Sequence, residues 1–163
     1  MKARIATLAD IDAIVRIYNQ GIEDRVATFE TRLRTPQEVQ TWFDNVHPLV
    51  VVENEQGTIA FASTSSYHNR ECYAGIAECS VYVVRNMRRH GAGRVALEAL
   101  IIAAEQAGFW KLVSRVFVDN KASRTLIRTL GFREVGTYYK HAKLDGTWRD
   151  VIIVERLLPA NIS

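Results

Sequence analysis

Apolar and polar positions change their spacing several times along the chain, and each change predicts a new element. Residues 2–6 alternate as a short strand does, and apolar side chains then recur at helical spacing from Ile11 to Tyr18. Between them, Thr7 and Asp10 have the spacing of a capping box, which typically starts a helix. The pattern therefore predicts that a strand followed by a helix opens the fold.

The next stretch predicts a second helix and then a group of strands. Thr35 is a good capping residue directly before a proline, so a helix is predicted over residues 36–45. The β-rich runs 49–53 and 58–67 are separated by a short polar turn with a glycine, which favours an antiparallel hairpin. Residues 76–84 predict a further strand.

The second half of the chain alternates between helical and extended patterns. Helices are predicted at 91–108 and 120–130, and strands at 112–118, 134–144 and 147–157. The pair Asp145-Gly146 between the last two strands is typical of a type I′ hairpin turn. The order of elements predicts an α/β (α+β) fold with a mixed, mostly antiparallel central sheet flanked by helices.

Composition narrows the class of protein. With 163 residues, 48% of them apolar, we expect a single domain spanning residues 1–163. The net charge of +3 is mild and basic residues are interspersed with acidic ones, which weighs against a nucleic-acid partner. No apolar run reaches the length of a membrane span, Cys72 and Cys79 lack a disulfide or metal spacing, and the four histidines show no ligand pairing. We therefore expect a cytoplasmic protein without a membrane segment or a metal site.

A glycine-containing loop between a predicted strand and the most strongly helical stretch is a candidate binding site. It has the form Arg88-x-x-Gly91-x-Gly93 and is followed by Arg94. Glycines let backbone N–H groups turn towards an anion, the helix start adds partial positive charge, and the arginines add full charges, as a pyrophosphate requires. The spacing matches neither the Rossmann fingerprint nor the P-loop. Taken alone, these residues are equally typical of an ordinary turn with solvated arginines.

Four segments follow one another in an order that resembles the signature segments of the GNAT acyltransferases. They are Val81-Tyr82-Val83, Arg88-Arg89-His90-Gly91-Ala92-Gly93, Asn120-x-x-Ser123 and Leu130-Gly131-Phe132. Within that superfamily the chain is similar to the phosphinothricin N-acetyltransferase group, which includes enzymes that act on methionine sulfoximine and arsinothricin. The further segments that carry this similarity are Ala27-Thr28-Phe29-Glu30-Thr31, Arg70-Glu71-Cys72-Tyr73, Ala77-Glu78-Cys79-Ser80 and Gly146-Thr147-Trp148-Arg149-Asp150-Val151.

The resemblance implies a site for acetyl-CoA. The strand 81–83 would pair its backbone with the pantetheine arm, the loop 88–94 would hold the pyrophosphate, and Asn120 would lie near the thioester. The donor-binding residues implied in this way are Val81, Tyr82, Val83, Arg88, Arg89, His90, Gly91, Ala92, Gly93, Arg94, Asn120 and Ser123. The valines also suit a hydrophobic core, and Asn120 is a good N-cap for the helix that follows it.

Glu78 is the candidate catalytic residue. Strand alternation places it on one face with Ser80 and Tyr82. A carboxylate in a partly buried site can take a proton from an ammonium group, which has no lone pair with which to attack a thioester. From the residue alone a solvated or ion-paired glutamate is the commoner outcome, whereas the resemblance implies a general base. The tyrosine that protonates the thiolate in many GNAT enzymes corresponds to Ile127 here, so no general acid is assigned.

The acceptor implied by the resemblance is a small anionic amino-acid analogue, detoxified by acetylation of its α-amine. The resemblance places Arg70 at the acceptor, where it can bind a carboxylate or phosphinate with two hydrogen bonds, and places Thr28 and Phe29 in the segment that covers the acceptor. Tyr73 can add a hydroxyl contact. Each of these residues also fits an ordinary loop. Members of the group are commonly homodimers. Two alternatives stay open: a GNAT enzyme for another small amine or a peptide N-terminus, and a CoA-binding module without turnover.

Overall fold

A computed structural model describes residues 1–163, in which seven strands form one sheet and four α-helices pack on it. In chain order the elements are β1 (Lys2–Ile5), α1 (Ile11–Asp24), α2 (Pro36–Gln40), β2 (Leu49–Asn54), β3 (Gly57–Ser66), β4 (Ile76–Val83), α3 (Ala92–Gln106), β5 (Lys111–Phe117), α4 (Lys121–Thr129), β6 (Arg133–Leu144) and β7 (Thr147–Leu157). The strand order is β1-β2-β3-β4-β5-β7-β6, and every neighbouring pair except β4 with β5 is antiparallel. The predicted fold class is confirmed. None of the helices combines the length and the apolar character needed to cross a membrane.

Local sequence explains where several elements begin and turn. The hairpin between β6 and β7 turns at Asp145 and Gly146, whose φ angles of +49° and +78° are both positive, as a type I′ turn requires. The hydroxyl of Thr35 accepts the backbone N–H of Glu38 at 3.3 Å and so caps α2. The predicted hairpin turn and the predicted helix cap are therefore both confirmed.

The second helix is shorter than the predicted span 36–45, because it ends at Gln40. The carboxylate of Asp44 accepts the backbone N–H groups of Val46 and His47 at 2.9 and 2.8 Å. A short acidic side chain that binds the following backbone in this way competes with the helical hydrogen-bond ladder. The chain consequently turns here and enters β2.

Two hydrophobic clusters hold helices on opposite faces of the sheet. On one face α3 buries Leu97 and Leu100 in the main cluster, and on the other α1 buries Ile14 and Ile17 against Phe61 of β3. Each fully buried side chain of this size contributes about 1.5–3 kcal/mol to folding. Packing on both faces thus holds the central part of the sheet, which includes β4, in place.

β4 and β5 separate after a short stretch of parallel pairing. Residues 76–78 pair with residues 111–113, and no ladder pair joins residues 79–83 to residues 114–117. The unpaired parts of the two strands form a fork that opens towards their C-terminal ends. Since α3 follows β4 and α4 follows β5, both helices begin at the mouth of this fork.

Candidate active site

A cavity occupies the fork between β4 and β5. Its lining residues are Ala27, Cys79, Ser80, Val81, Tyr82, Leu97, Ser114, Arg115, Val116, Phe117, Asn120, Ser123, Leu126 and Ile127. Four residues that the sequence assigned to the donor are among them, namely Val81, Tyr82, Asn120 and Ser123. The fold therefore brings together segments that are about 40 residues apart in the chain.

The loop 88–94 leads from the mouth of the fork into α3, and its backbone N–H groups donate no hydrogen bond within the protein. Arg89 and Gly91 have φ angles of +65° and +90°, and a backbone of this kind turns successive N–H groups into a concave surface. The 15 residues of α3 add the partial positive charge of a helix N-terminus. The loop thus has the geometry of an anion-binding site, and Gly91 is the residue that suits its left-handed backbone best.

The arginines of the loop differ in where their charges lie. Arg88 points inward, where Nη1 donates to Asp24 at 2.6 Å and Nε donates to the carbonyl of Val83 at 3.2 Å. Hydrogen bonds from Arg85 and then from Arg88 hold the pKa of the Asp24 carboxyl below its usual value. Arg88 therefore ties the loop to α1 and β4.

The other charged side chains of the loop face solvent. Arg89, His90 and Arg94 are exposed, and Arg94 pairs with Glu98 at 2.9 Å.

Gly93, in the first turn of α3, lies close to β4 and α4. A Cβ atom at this position would lie 3.4 Å from Leu126, 3.6 Å from Val83 and 3.8 Å from Val81. These are ordinary van der Waals distances, so a small side chain would fit at position 93, beside the buried Ala92. Of the two glycines of the loop, only Gly91 is required by its backbone conformation.

The free edge of β4 points its backbone into the fork. The carbonyl of Gly75 accepts the backbone N–H of Trp110, and the carbonyl of Cys79 accepts the hydroxyl of Ser114 at 2.8 Å, both across to β5 and the segment before it. Strand alternation gives the backbone of Val81 the same direction. Its side chain packs against the main hydrophobic cluster. Val81 is therefore a core residue whose N–H and C=O groups remain available to the cavity.

Asn120 joins α4 to the segment that follows α1. Its Oδ1 accepts the backbone N–H of Ser123 at 3.2 Å, which caps α4, and its Nδ2 donates to the carbonyl of Val26 at 3.1 Å. Nearby in the same segment, Phe29 meets Phe117 edge to face with ring centroids 5.0 Å apart. The segment after α1 is thus held beside the cavity by contacts with β5 and α4.

Glu78 lies at the apex of the fork, in the last ladder pair between β4 and β5. Its Oε1 accepts hydrogen bonds from Nε and Nη2 of Arg115 at 2.9 and 2.5 Å, whereas its Oε2 has no protein partner. Glu78 is therefore ion-paired, which is the commoner outcome for a glutamate considered without the family resemblance. Its partner, Arg115, was not among the predicted site residues. Strand alternation in β5 nevertheless indicates an unusual cation there, because it places Arg115 on one face between the apolar Val113 and Phe117.

Cys79, the next residue of β4, is buried in the cavity wall. Burial raises the pKa of its thiol to about 12. A thiol in this state is protonated at neutral pH and is a poor nucleophile. Ile127 also lines the cavity, so the position expected for a general acid is apolar. No group of three or more His, Cys, Asp or Glu side chains is arranged to hold a metal ion.

The residues that the sequence assigned to the acceptor do not line this cavity. Arg70 and Tyr73 are exposed on the loop between β3 and β4, where Tyr73 packs edge to face on His68 at 5.4 Å. The side chain of Arg70 forms no hydrogen bond or ion pair. Thr28 is half-buried, and its hydroxyl accepts the backbone N–H of Glu30 at 3.1 Å. The structure therefore brings the donor residues together more completely than the acceptor residues.

Comparison with known proteins places these features in a family. The sequence model described as acetyltransferase (GNAT) family matches residues 14–132. A phosphinothricin N-acetyltransferase of Streptomyces viridochromogenes is 32% identical over 161 residues, which cover 93% of this chain and 84% of that protein. An L-methionine sulfoximine/L-methionine sulfone acetyltransferase of Pseudomonas aeruginosa is 31% identical over 160 residues, covering 93% of this chain and 91% of that protein.

Solved structures show the same fold. A ribosomal-protein-alanine N-acetyltransferase from Brucella melitensis superposes with a TM-score of 0.91 at 30% identity, covering 96% of this chain and 99% of that one. A GNAT phosphinothricin acetyltransferase from Sinorhizobium meliloti in complex with acetyl-CoA gives a TM-score of 0.89 at 28% identity, covering 96% and 87%. The two solved structures share this fold, and both are described as acetyltransferases, while their names point to different acceptors.

Proposed function

Because the chain belongs to the GNAT acetyltransferase family, we propose that it transfers the acetyl group of acetyl-CoA to the α-amine of a small anionic amino-acid analogue. The acceptors of this kind are phosphinothricin, methionine sulfoximine and arsinothricin, and acetylation of the amine detoxifies them. The observation that carries the proposal is the carboxylate of Glu78 at the apex of the fork, with one oxygen free of protein partners.

The donor is held mainly by backbone groups. In this proposal the N–H groups of residues 88–94 bind the pyrophosphate, and the backbone of Val81 and Val83 runs beside the pantetheine arm. Asn120 and Ser123 lie near the thioester end. These assignments are supported by the unpaired N–H groups of the loop and by the direction of the Val81 backbone towards the cavity.

The chemical step is a direct attack by the amine, with Glu78 as general base. The α-ammonium group gives a proton to Oε2 of Glu78, directly or through a water, and the freed lone pair forms a C–N bond with the acetyl carbon. The resulting oxyanion accepts a hydrogen bond from the backbone N–H of Val81. Collapse of this tetrahedral intermediate breaks the C–S bond. The nitrogen then gives up its second proton to solvent, and the coenzyme A thiolate takes a proton from water. One proton is released for each acetyl group transferred.

The state of one cysteine supports direct transfer without a covalent enzyme intermediate. The thiol of Cys79, whose pKa is raised by burial to about 12, stays protonated and is therefore a poor nucleophile. Ile127 offers no proton donor to the departing thiolate, so water is the proposed source of that proton.

On the acceptor side we propose that Arg70, Tyr73, Thr28 and Phe29 surround the bound amino acid. The exposed and unpaired guanidinium of Arg70 supports a role in binding an anionic or strongly polar tail. We further propose that residues 1–163 act as one domain, in a homodimer located in the cytoplasm.

A second candidate function is acetylation of a peptide N-terminus, which the superposition on a ribosomal-protein-alanine N-acetyltransferase favours. A thiol-release assay with acetyl-CoA separates the two. Phosphinothricin, methionine sulfoximine and arsinothricin are compared with a peptide that begins with alanine and with simple amines. We expect thiol release with the amino-acid analogues, lost in Glu78→Gln. Acetylation of the peptide alone contradicts the proposed acceptor, and the absence of turnover with every amine favours a CoA-binding module.

A further inference from the structure

Arg115 and Glu78 form an ion pair across the fork. The strands carrying them no longer share ladder hydrogen bonds beyond Glu78 and Val113, so the pair bridges the point at which they separate. Both contacts from Arg115, from Nε and Nη2, go to the same oxygen of Glu78. This arrangement leaves Oε2 of Glu78 and Nη1 of Arg115 without protein partners. The pair therefore presents a free acceptor beside a free donor.

Folding gives little reason for Arg115 to be at this position. Its side chain is 51% exposed, and an ion pair with that much solvent contact typically adds little to stability. Its neighbours on the same face of β5, Val113 and Phe117, are apolar. Arg115 also lines the cavity in the fork, so its charge lies where an acceptor would meet the acetyl group.

We propose that Arg115 binds the α-carboxylate of the acceptor while Oε2 of Glu78 receives a proton from its α-ammonium group. In an α-amino acid these two charges are separated by a single carbon, so adjacent groups of opposite sign are needed to bind both. The guanidinium supplies N–H donors in a planar fork suited to a carboxylate. This inference rests on the proposed function and makes it more specific: Arg115 selects free α-amino acids, and Arg70 is left for the other end of the molecule.

The prediction that follows concerns acceptors that lack the carboxylate. A carboxamide of the same amino acid keeps the amine and the side chain and removes only the charge, as a peptide bond does. A hydrogen bond to a charged group contributes about 1.5–3 kcal/mol, which corresponds to roughly 10- to 150-fold in kcat/KM. We expect the wild type to prefer each free acid over its carboxamide by a factor in this range.

The experiment measures kcat/KM for phosphinothricin, methionine sulfoximine and methionine sulfone and for the α-carboxamide of each. In Arg115→Ala we expect a 10- to 150-fold loss on the acids, mainly through KM, and a change of less than about threefold on the carboxamides. Arg115→Lys, which keeps a charge without the planar fork, should recover part of the loss on the acids. Arg133→Ala is the matched control. Arg133 lies on β6, two strands from Arg115 on β5, and it pairs with Glu155 of β7.

Equal losses on acids and carboxamides in Arg115→Ala overturn the inference, because Arg115 would then act only by positioning Glu78. No loss on either also overturns it. These results leave the proposed function intact if the wild type still acetylates the acids. A wild type that acetylates peptides and carboxamides but not free acids refutes both proposals. Thermal unfolding and acetyl-CoA binding of each variant show that a lost activity is not a lost fold.

Discussion

The two halves of the fork are built from different chemical groups. In the function proposed above, the donor is held by backbone, namely the unpaired N–H groups of residues 88–94 and the edge of β4 at Val81, and we call this the donor half. The acceptor is held by side chains, of which Glu78 and Arg115 are paired across 37 positions of the chain, and we call this the acceptor half. A backbone site needs only the right local conformation, whereas a side-chain site needs distant residues to meet. The donor half is therefore the part that a short motif can specify.

Glu78→Gln should separate the two halves with the largest effect. The amide keeps the shape of the side chain but cannot serve as a base, and loss of general-base catalysis costs typically 10²- to 10⁴-fold. We expect kcat to fall by this amount while the Kd for acetyl-CoA, measured by calorimetry, stays within about twofold. Glu55→Gln, a change in an exposed residue of the turn between β2 and β3 that forms no ion pair, is the control. A comparable loss of acetyl-CoA binding in Glu78→Gln would show that the halves are not independent.

A substitution at Gly91 should damage the donor half alone. This residue has φ +90°, and a left-handed backbone costs a residue with a side chain about 1–2 kcal/mol. In Gly91→Ala we expect the KM for acetyl-CoA to rise roughly 5- to 30-fold, with the KM for the acceptor unchanged. Gly136→Ala is the control, because that glycine has no positive φ and no atom within 4 Å of an added Cβ. An unchanged KM for acetyl-CoA would argue against the loop as the pyrophosphate site.

The same contrast explains what could be predicted from sequence. The strands, the type I′ turn at Asp145-Gly146 and the loop around Gly91 depend on neighbouring residues, so their patterns were visible in the chain. The early end of α2 was missed because Asp44 binds backbone beyond the helix, a competition that a helical pattern does not reveal. Arg115 was missed because its partner belongs to another strand, and pairing across strands is set by the register of the whole sheet.

Asn120 is bonded to Ser123, a proposed donor residue, and to Val26, close in the chain to the proposed acceptor residues Thr28 and Phe29. Two variants test which half it serves. Asn120→Asp keeps the oxygen that caps α4 and loses the donor to Val26, whereas Asn120→Ala loses both. One neutral hydrogen bond is worth about 0.5–1.5 kcal/mol, so Asn120→Asp should raise the KM for the acceptor roughly 2- to 12-fold. The alanine variant should also lower the free energy of unfolding by about 0.5–2 kcal/mol.

Steady-state kinetics and chemical denaturation of both variants provide the test. If Asn120→Asp raises the KM for acetyl-CoA more than the KM for the acceptor, then Asn120 belongs to the donor half, and its contact with Val26 has no consequence for acceptor binding.

Cys79 lies where the two halves meet, and its expected effect is the smallest because it is confined to high pH. Burial raises the thiol pKa from 9.0 to about 12. Below pH 9 the thiol is protonated in the folded and the unfolded chain, so it adds no pH dependence. Between pH 9 and 12 the unfolded chain loses the proton first. Stability therefore falls as pH rises, by up to about 1.4 kcal/mol per pH unit from this group.

Urea denaturation between pH 8 and 10.5 measures this slope, and the difference between wild type and Cys79→Ala removes the contribution of other titrating groups. Cys72→Ala should keep the wild-type slope, because Cys72 is exposed. If the Cys79→Ala slope equals the wild-type slope, the thiol is accessible to solvent in the folded protein. It could then form a thiolate beside Glu78, and direct attack by the amine would lose the support that the protonated Cys79 thiol provides.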